Sequence, residues 1–309
     1  MATKKRQWQG PGSREDQDIS RHKAEQAHFD RRRSCAVPRQ GRLSNMNPSD
    51  PKPPFKTPHL ALLLLVFTVL VPNSAWAQWK THWTYEGATG ASHWGDLDPD
   101  YAPCKTGKEQ SPIDIQSTEK ADLPALRFEY KGSPLKYLIN NGYTIRVNYH
   151  DAPGDGNFLI VGSEHYHLTQ FHFHRPREEY IHGKPYDMVL HLMHQSSDGK
   201  VVGVAVLITA GSANPTVQQL WEHMPKSESK EQEVPGVEVN PGGMLPHEAA
   251  YYRYMGSLTA PPCTEGVTWF VLKTPLEISA QQIDAFAKLY PHDVRPLQPL
   301  NGRVVKASQ

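Results

Sequence analysis

From Gln170 to His174 the chain alternates polar and aromatic side chains, QFHFH. A period of two belongs to a strand with unlike faces. Phe171 and Phe173 point one way, into a core, while Leu168, Gln170, His172 and His174 point the other. Short apolar runs recur at YTIRVNY (143–149), YHLTQFHFH (166–174), DMVLHLMH (187–194), VVGVAVLIT (201–209) and VTWFVLKTP (267–275), separated by clusters of Gly, Pro, Asn and Asp. All read as strands, and SDGK (197–200) joins two of them in a tight hairpin. Helical patterns are few and short, at about 214–224 and at 279–289 with Ser279 as N-cap. Residues 226–243 read as a polar loop and the tail from Asn301 as irregular. The expected class is mainly β with short helices, α+β, in one domain with neither internal repeats nor coiled-coil heptads.

The first quarter of the chain has another character. Residues 1–45 are polar and basic, expected as a disordered leader or a gene-model artefact, since Met46 would begin a signal of ordinary length. Residues 46–77 have the form of a secretory signal: Lys52 and Lys56, the apolar run LALLLLVFTVLV (60–71), then small residues at Ala75 and Ala77, with cleavage after Ala77. That run is short of the roughly 20 residues a membrane span needs. RRRS at 31–34 lies too far from it for a twin-arginine signal. The chain is therefore expected to be exported, periplasmic or secreted, with residues 78–309 as the folded domain and no permanent membrane span.

The formal charge of +1 conceals an uneven distribution. Of 33 Lys+Arg and 32 Asp+Glu, residues 1–77 hold 13 and 6, which leaves 20 and 26 in the domain, a net charge of −6. Nothing there forms the basic patch that nucleic-acid binding requires. Of three cysteines, Cys35 falls in the leader; Cys104 and Cys263 form an even pair in an exported chain, expected as a disulfide.

Two imidazoles at i and i+2 of a strand, His172 and His174, can share one metal ion. His165 and His167 have the opposite parity and lie next to Gly162 and Ser163, so a surface turn is expected for them. A third nitrogen would come from His191 or His194, which face opposite ways: His191 with Val189 and Met193, His194 with Leu190 and Leu192. Spacing does not choose between them. Three imidazoles with one open position would make a catalytic zinc site.

The motifs QSPIDI (110–115), NNGY (140–143), QFHFH (170–174), HLMH (191–194) and GSLTAPPCTEGVTWFVLK (256–273) resemble, in order and over nearly all of residues 80–305, the alpha-class carbonic anhydrases, and the short loops and cysteine pair resemble the bacterial branch. The resemblance implies a twisted, largely antiparallel sheet of about ten strands, with zinc at the bottom of a cone-shaped cleft. It implies His172, His174 and His191 as ligands, with Gln170 orienting them from behind. It implies reversible hydration of carbon dioxide to bicarbonate and a proton by zinc-bound hydroxide. Thr259 would orient the hydroxide, and Glu178 would be the buried carboxylate that takes the Thr259 proton, whereas Glu179 is expected in solvent. Leu258, Val267 and Trp269 would form the apolar substrate wall, and Tyr85 would bond Thr259 or water. Sulfonamides and anions would be inhibitors. The oligomeric state, monomer or dimer, is left open.

The chain departs from the family pattern at three places. Tyr143 stands where a histidine proton shuttle is usual, with His82, His93 and His150 as candidate substitutes. Val189 stands where a carboxylate usually orients the third ligand; loss of such a partner typically costs about 10–100-fold in metal affinity or activity, so weaker zinc retention is expected. Met193 and Ala260 alter the pocket's shape. Two other classes compete: a cupin-like metalloenzyme with Glu178 as a ligand, and a catalytically weak or inactive carbonic-anhydrase-like binding module. A tyrosine titrates near 10 and relays protons poorly at pH 7. Tyr143→His should therefore raise turnover in dilute buffer, and imidazole should accelerate the parent; equal rates for the two proteins in stopped-flow hydration at low buffer would refute this.

Overall fold

The structure, a computed structural model, describes residues 81–150 and 156–309; the leader and the expected signal at 46–77 lie outside the described residues. All five apolar runs contribute strands to one sheet, β2 (Ile145–Asn148), β3 (Glu164–His174), β4 (Met188–Gln195), β5 (Val201–Ala210) and β7 (Glu265–Leu272), and β1 (Leu138–Asn140) and β6 (Tyr251–Ser257) join them. From one edge the order is Glu119–Lys120, Lys306–Ala307, β6, β7, β5, β4, β3, β2, β1. Phe158–Val161 pairs with β3 and with Leu126–Glu129, and Leu276–Ile278 pairs with β5, which makes twelve strands. The sheet is mixed: β5 runs parallel to β7 and to Leu276–Ile278, and most other pairs are antiparallel.

The central strands are apolar on both sides because both sides are covered. One face of the sheet carries Phe171, Phe173, Leu190, Leu192, Val204 and Val206, packed under Leu220 and Trp221 of α1 (Pro215–His223) and Phe286 of α2 (Ala280–Ala287). Both helices start as their sequences direct. Asn214 caps α1, accepting from Val217 N at 3.0 Å, and Ser279 forms a capping box with Gln282 at α2. The opposite face carries Val189, Met193, Ala205, Val267, Trp269 and Val271. Gly203 lies opposite Trp269 in the β5–β7 register, and a Cβ there would come within 2.6 Å of the indole. Only glycine lets the ring lie flat against the sheet.

Three expectations need correction. The tail is not wholly irregular: Lys306–Ala307 pairs with β6, and Ser308 exchanges bonds with Tyr251 through its N–H (2.9 Å) and hydroxyl (2.8 Å). The alternation of β3 breaks at Thr169, where Met193 pairs with Gln170 but His194 pairs with Leu168. The extra residue is a β-bulge whose hydroxyl donates to Met193 O at 2.9 Å. Leu168 therefore joins the Phe171–Phe173 core and not the histidine face. His165 and His167 belong to β3 rather than to a turn; His165 is exposed, and His167 is half-buried against Phe158.

Cys104 and Cys263 form a disulfide, with Cα atoms 5.0 Å apart and a separation of 159 positions in sequence. A bridge closing so long a loop removes about 4–5 kcal/mol of unfolded-state entropy by the chain-entropy argument. Replacing both cysteines with alanine should lower the melting temperature of the domain by roughly 10 °C, measured by calorimetry; an unchanged midpoint would contradict this account.

Candidate metal centre

Strand pairing builds the centre. His172 on β3 lies directly opposite His191 on β4, and His174 lies two residues along β3, opposite Val189. The ring centroids are 4.8 Å (His172–His174), 5.2 Å (His172–His191) and 5.1 Å (His174–His191) apart. One nitrogen of each lies within 4.8 Å of the others, a group able to hold a metal ion. His194 is on the other face, fully buried, with Nε2 2.6 Å from the Tyr130 hydroxyl; burial pushes its pKa down to about 3.

Each imidazole is oriented from behind by an acceptor. His172 Nδ1 donates to Gln170 Oε1 at 2.8 Å, and His174 Nδ1 donates to the Asp293 carbonyl at 2.7 Å. His191 Nε2 lies 3.2 Å from each carboxylate oxygen of Glu179. Carbonyl and carboxylate oxygens only accept, so the tautomers follow. His174 Nε2 and His191 Nδ1 are left buried without a hydrogen-bond partner. Two buried lone pairs aimed together, with His172 Nε2 beside them, fit a cation and leave a polar void without one.

Electrostatics keep two of the rings neutral. Burial, reinforced by the neighbouring imidazoles, holds His172 well below its usual pKa and brings His174 to about 3. His191 goes the other way: burial opposes its charge, but the carboxylates of Glu179 and Glu178 outweigh it. Glu178 is buried and rises to about 7, chiefly through burial, partly offset by His191. Its Oε1 accepts from Arg295 N at 3.0 Å, and the Thr259 hydroxyl interacts with it and favours its ionised form.

Glu179 is therefore not in solvent, as the sequence suggested, but fully buried behind His191. The acceptor that Val189 cannot provide comes from a neighbouring segment instead, and the reason for expecting loosely held metal falls away. Asp293 and Arg295 were also missed. Arg295 donates to Gln110 Oε1, Ser111 O and Cys104 O, tying the QSP motif and the disulfide to the centre. A lone DVRP stretch carries no pattern that would have revealed this.

The three imidazoles line a cavity of about 620 Å³. Gln170, Met193, Leu258, Thr259, Ala260 and Trp269 line it, whereas Val267 lies behind them in the core. Tyr85 lines it edge-on to His174, with centroids 6.4 Å apart, and among the described residues no hydrogen bond joins its hydroxyl to Thr259. Tyr143 stacks on Trp83 at 3.9 Å, and its hydroxyl lies 3.2 Å from His82 Nδ1.

A three-imidazole centre able to hold a metal ion, open to a cleft and carried by a twelve-stranded mixed sheet, defines a β-sheet protein with a candidate catalytic metal centre. Residues 89–309 match the model of the family described as eukaryotic-type carbonic anhydrase. A carbonic anhydrase of Nostoc sp. is 38% identical over 251 residues, covering 80% of this chain and 93% of the relative. One of Klebsiella pneumoniae is 42% identical over 227 residues, covering 73% and 90%. The solved alpha-carbonic anhydrase of Thermovibrio ammonificans with sulfanilamide superposes with a TM-score of 0.69 at 41% identity, covering 73% of this chain and 99% of that one. The chain belongs to the alpha-class carbonic anhydrase family, enzymes that interconvert carbon dioxide and bicarbonate. A cupin-like reading is not favoured.

If Glu179 orients His191, Glu179→Gln should speed zinc loss to a chromogenic chelator by about 10–100-fold. Adding Val189→Glu to that variant should recover much of the loss. Val189→Glu alone should gain nothing, because it sets a second buried carboxylate beside Glu179. Equal metal-loss rates for Glu179→Gln and the parent would remove Glu179 from the centre.

Proposed function

We propose that the chain hydrates carbon dioxide reversibly, with zinc held by His172 Nε2, His174 Nε2 and His191 Nδ1. The observation that carries this reading is the convergence of three ring nitrogens within 4.8 Å of one another, two of them buried without a hydrogen-bond partner, on imidazoles oriented by a carbonyl and a carboxylate. Three imidazole nitrogens with a fourth position toward the cleft make the donor set of a catalytic zinc site. When bound, zinc lowers the pKa of a water to about 7, carbonic anhydrases being the standard example of that shift.

The protein's own groups would direct the attack. Glu178 would accept a hydrogen bond from the Thr259 hydroxyl, so that the threonine oxygen would in turn accept one from the attacking oxygen and turn a lone pair of that oxygen toward the substrate carbon. The Thr259 N–H would hold a substrate oxygen. Leu258, Met193, Ala260 and Trp269, backed by Val267, would receive an uncharged linear molecule and exclude competing water. Tyr85 would help close the site beside His174. Proton exit would pass the mouth of the cleft, where Tyr143 adjoins His82.

Export of the enzyme is supported by the disulfide and by the signal-like pattern of residues 46–77. No helix among the described residues is long and apolar enough to cross a membrane. Sulfonamides and small anions are proposed as inhibitors, as sulfanilamide is bound to the Thermovibrio ammonificans relative.

Stopped-flow hydration by residues 78–309, with and without a zinc chelator, tests this reading. His191→Ala should abolish zinc binding and activity together. Glu178→Gln should keep zinc yet lower kcat/KM, by about 10²–10³-fold if hydroxide orientation matters as much as a lost oxyanion donor does elsewhere. Hydration indifferent to the chelator would defeat the proposal.

A further inference from the structure

Arg146 is the one arginine or lysine that lines the cleft among the described residues. It stands on β2 directly opposite His172 of β3, with Asn148 and Gln170 as the next pair on the same face. Residues opposite one another across an antiparallel pair have side chains roughly 5 Å apart at Cβ, so the guanidinium begins beside a metal ligand. Its presence is felt there, since Arg146 adds to the forces that keep His172 neutral.

Several observations set this arginine apart from an ordinary surface charge. It is half-buried, and its Nε–H is buried without a hydrogen-bond partner. Among the described residues no carboxylate lies within 4.0 Å of it. Glu231 attracts it from farther off, but that carboxylate is already bonded to Asn148 Nδ2 at 2.5 Å and His150 Nε2 at 3.2 Å. Asp98 and Asp100 also line the cavity, and Asp98 is occupied by Thr81 Oγ1 at 2.8 Å and Asp100 N at 3.0 Å. Beside Arg146, Gln170 spends its carbonyl oxygen on His172, which leaves its amide N–H groups as further donors on the same wall.

A guanidinium with an unspent edge suits the two oxygens of a carboxylate. A cavity of about 620 Å³ is of the size that holds drug-sized ligands and exceeds what a three-atom substrate needs. We propose that Arg146, with the Gln170 amide, forms an anion subsite that takes the carboxylate of a small organic molecule whose other end is held at the three imidazoles. The proposal rests on the carbonic anhydrase reading of the centre.

The test is a charge series of sulfonamides measured by calorimetry on the zinc-loaded protein. The probes are benzenesulfonamide, its 3- and 4-carboxylates and its 4-aminomethyl derivative, against the parent and Arg146→Gln, at low and high salt. In the parent at low salt, at least one carboxylate isomer should gain about tenfold in affinity relative to its ratio in Arg146→Gln. That gain should shrink in high salt, because the site is half-exposed and screened. Comparing the two proteins cancels the effect of each substituent on the sulfonamide itself. Unchanged benzenesulfonamide affinity shows that the variant is folded and loaded. A carboxylate ratio that Arg146→Gln does not alter, or a preference of the parent for the aminomethyl probe that Arg146→Gln removes, would overturn the subsite. Failure of benzenesulfonamide to bind the zinc-loaded parent would instead overturn the reading of the centre, and the subsite with it.

Discussion

The pairing of β3 with β4 is the constraint on which the rest depends. It sets His172 against His191 and leaves His174 one step away on the same face. The register is held by what lies on the reverse side, where Phe171, Phe173, Leu190 and Leu192 are packed under two helices. A slip of one residue would carry the aromatic rings to the cleft and the imidazoles to the core. The hydrophobic effect thus positions the metal ligands indirectly, by making every other register costly.

Holding three imidazoles together away from water needs a surrounding shell that is polar but fully committed. Gln170, the Asp293 carbonyl and Glu179 each take one N–H, and Arg295 fixes Glu178 through its backbone. The Asp293 carbonyl and Arg295 reach the centre from more than 100 positions away in sequence. Burial raises the stake of each, since an unpaired polar group inside costs about 1–3 kcal/mol. The exchange of a carboxylate from position 189 to position 179 shows what the centre requires: an acceptor at one point in space, reachable from more than one place on the chain.

Much of this was legible beforehand. Strict alternation around His172, the cap at Ser279, and the apolar runs identified strands, helices and two candidate ligands, because these depend on neighbours within a few residues. The SLTAPP and HLMH motifs, through their resemblance to a family, selected His191 over His194. Where the reading failed, distant residues had intervened. Leu168 changed faces because a bulge at Thr169 shifted parity. Glu179 looked like one of a solvated acidic pair until a histidine twelve residues on was folded over it. Lys306–Ala307 became a strand only because β6 left an edge to receive it.

By itself, then, the sequence determined the class of the fold, the ligand-bearing strand and the family to which its motifs belong, since periodicity and local spacing survive in one dimension. Only the tertiary structure decided which acceptors orient His174 and His191, which face Leu168 occupies and which charge enters the cleft at Arg146. Those outcomes turn on distances of about 3–5 Å between residues remote in the chain, and only packing brings such residues together.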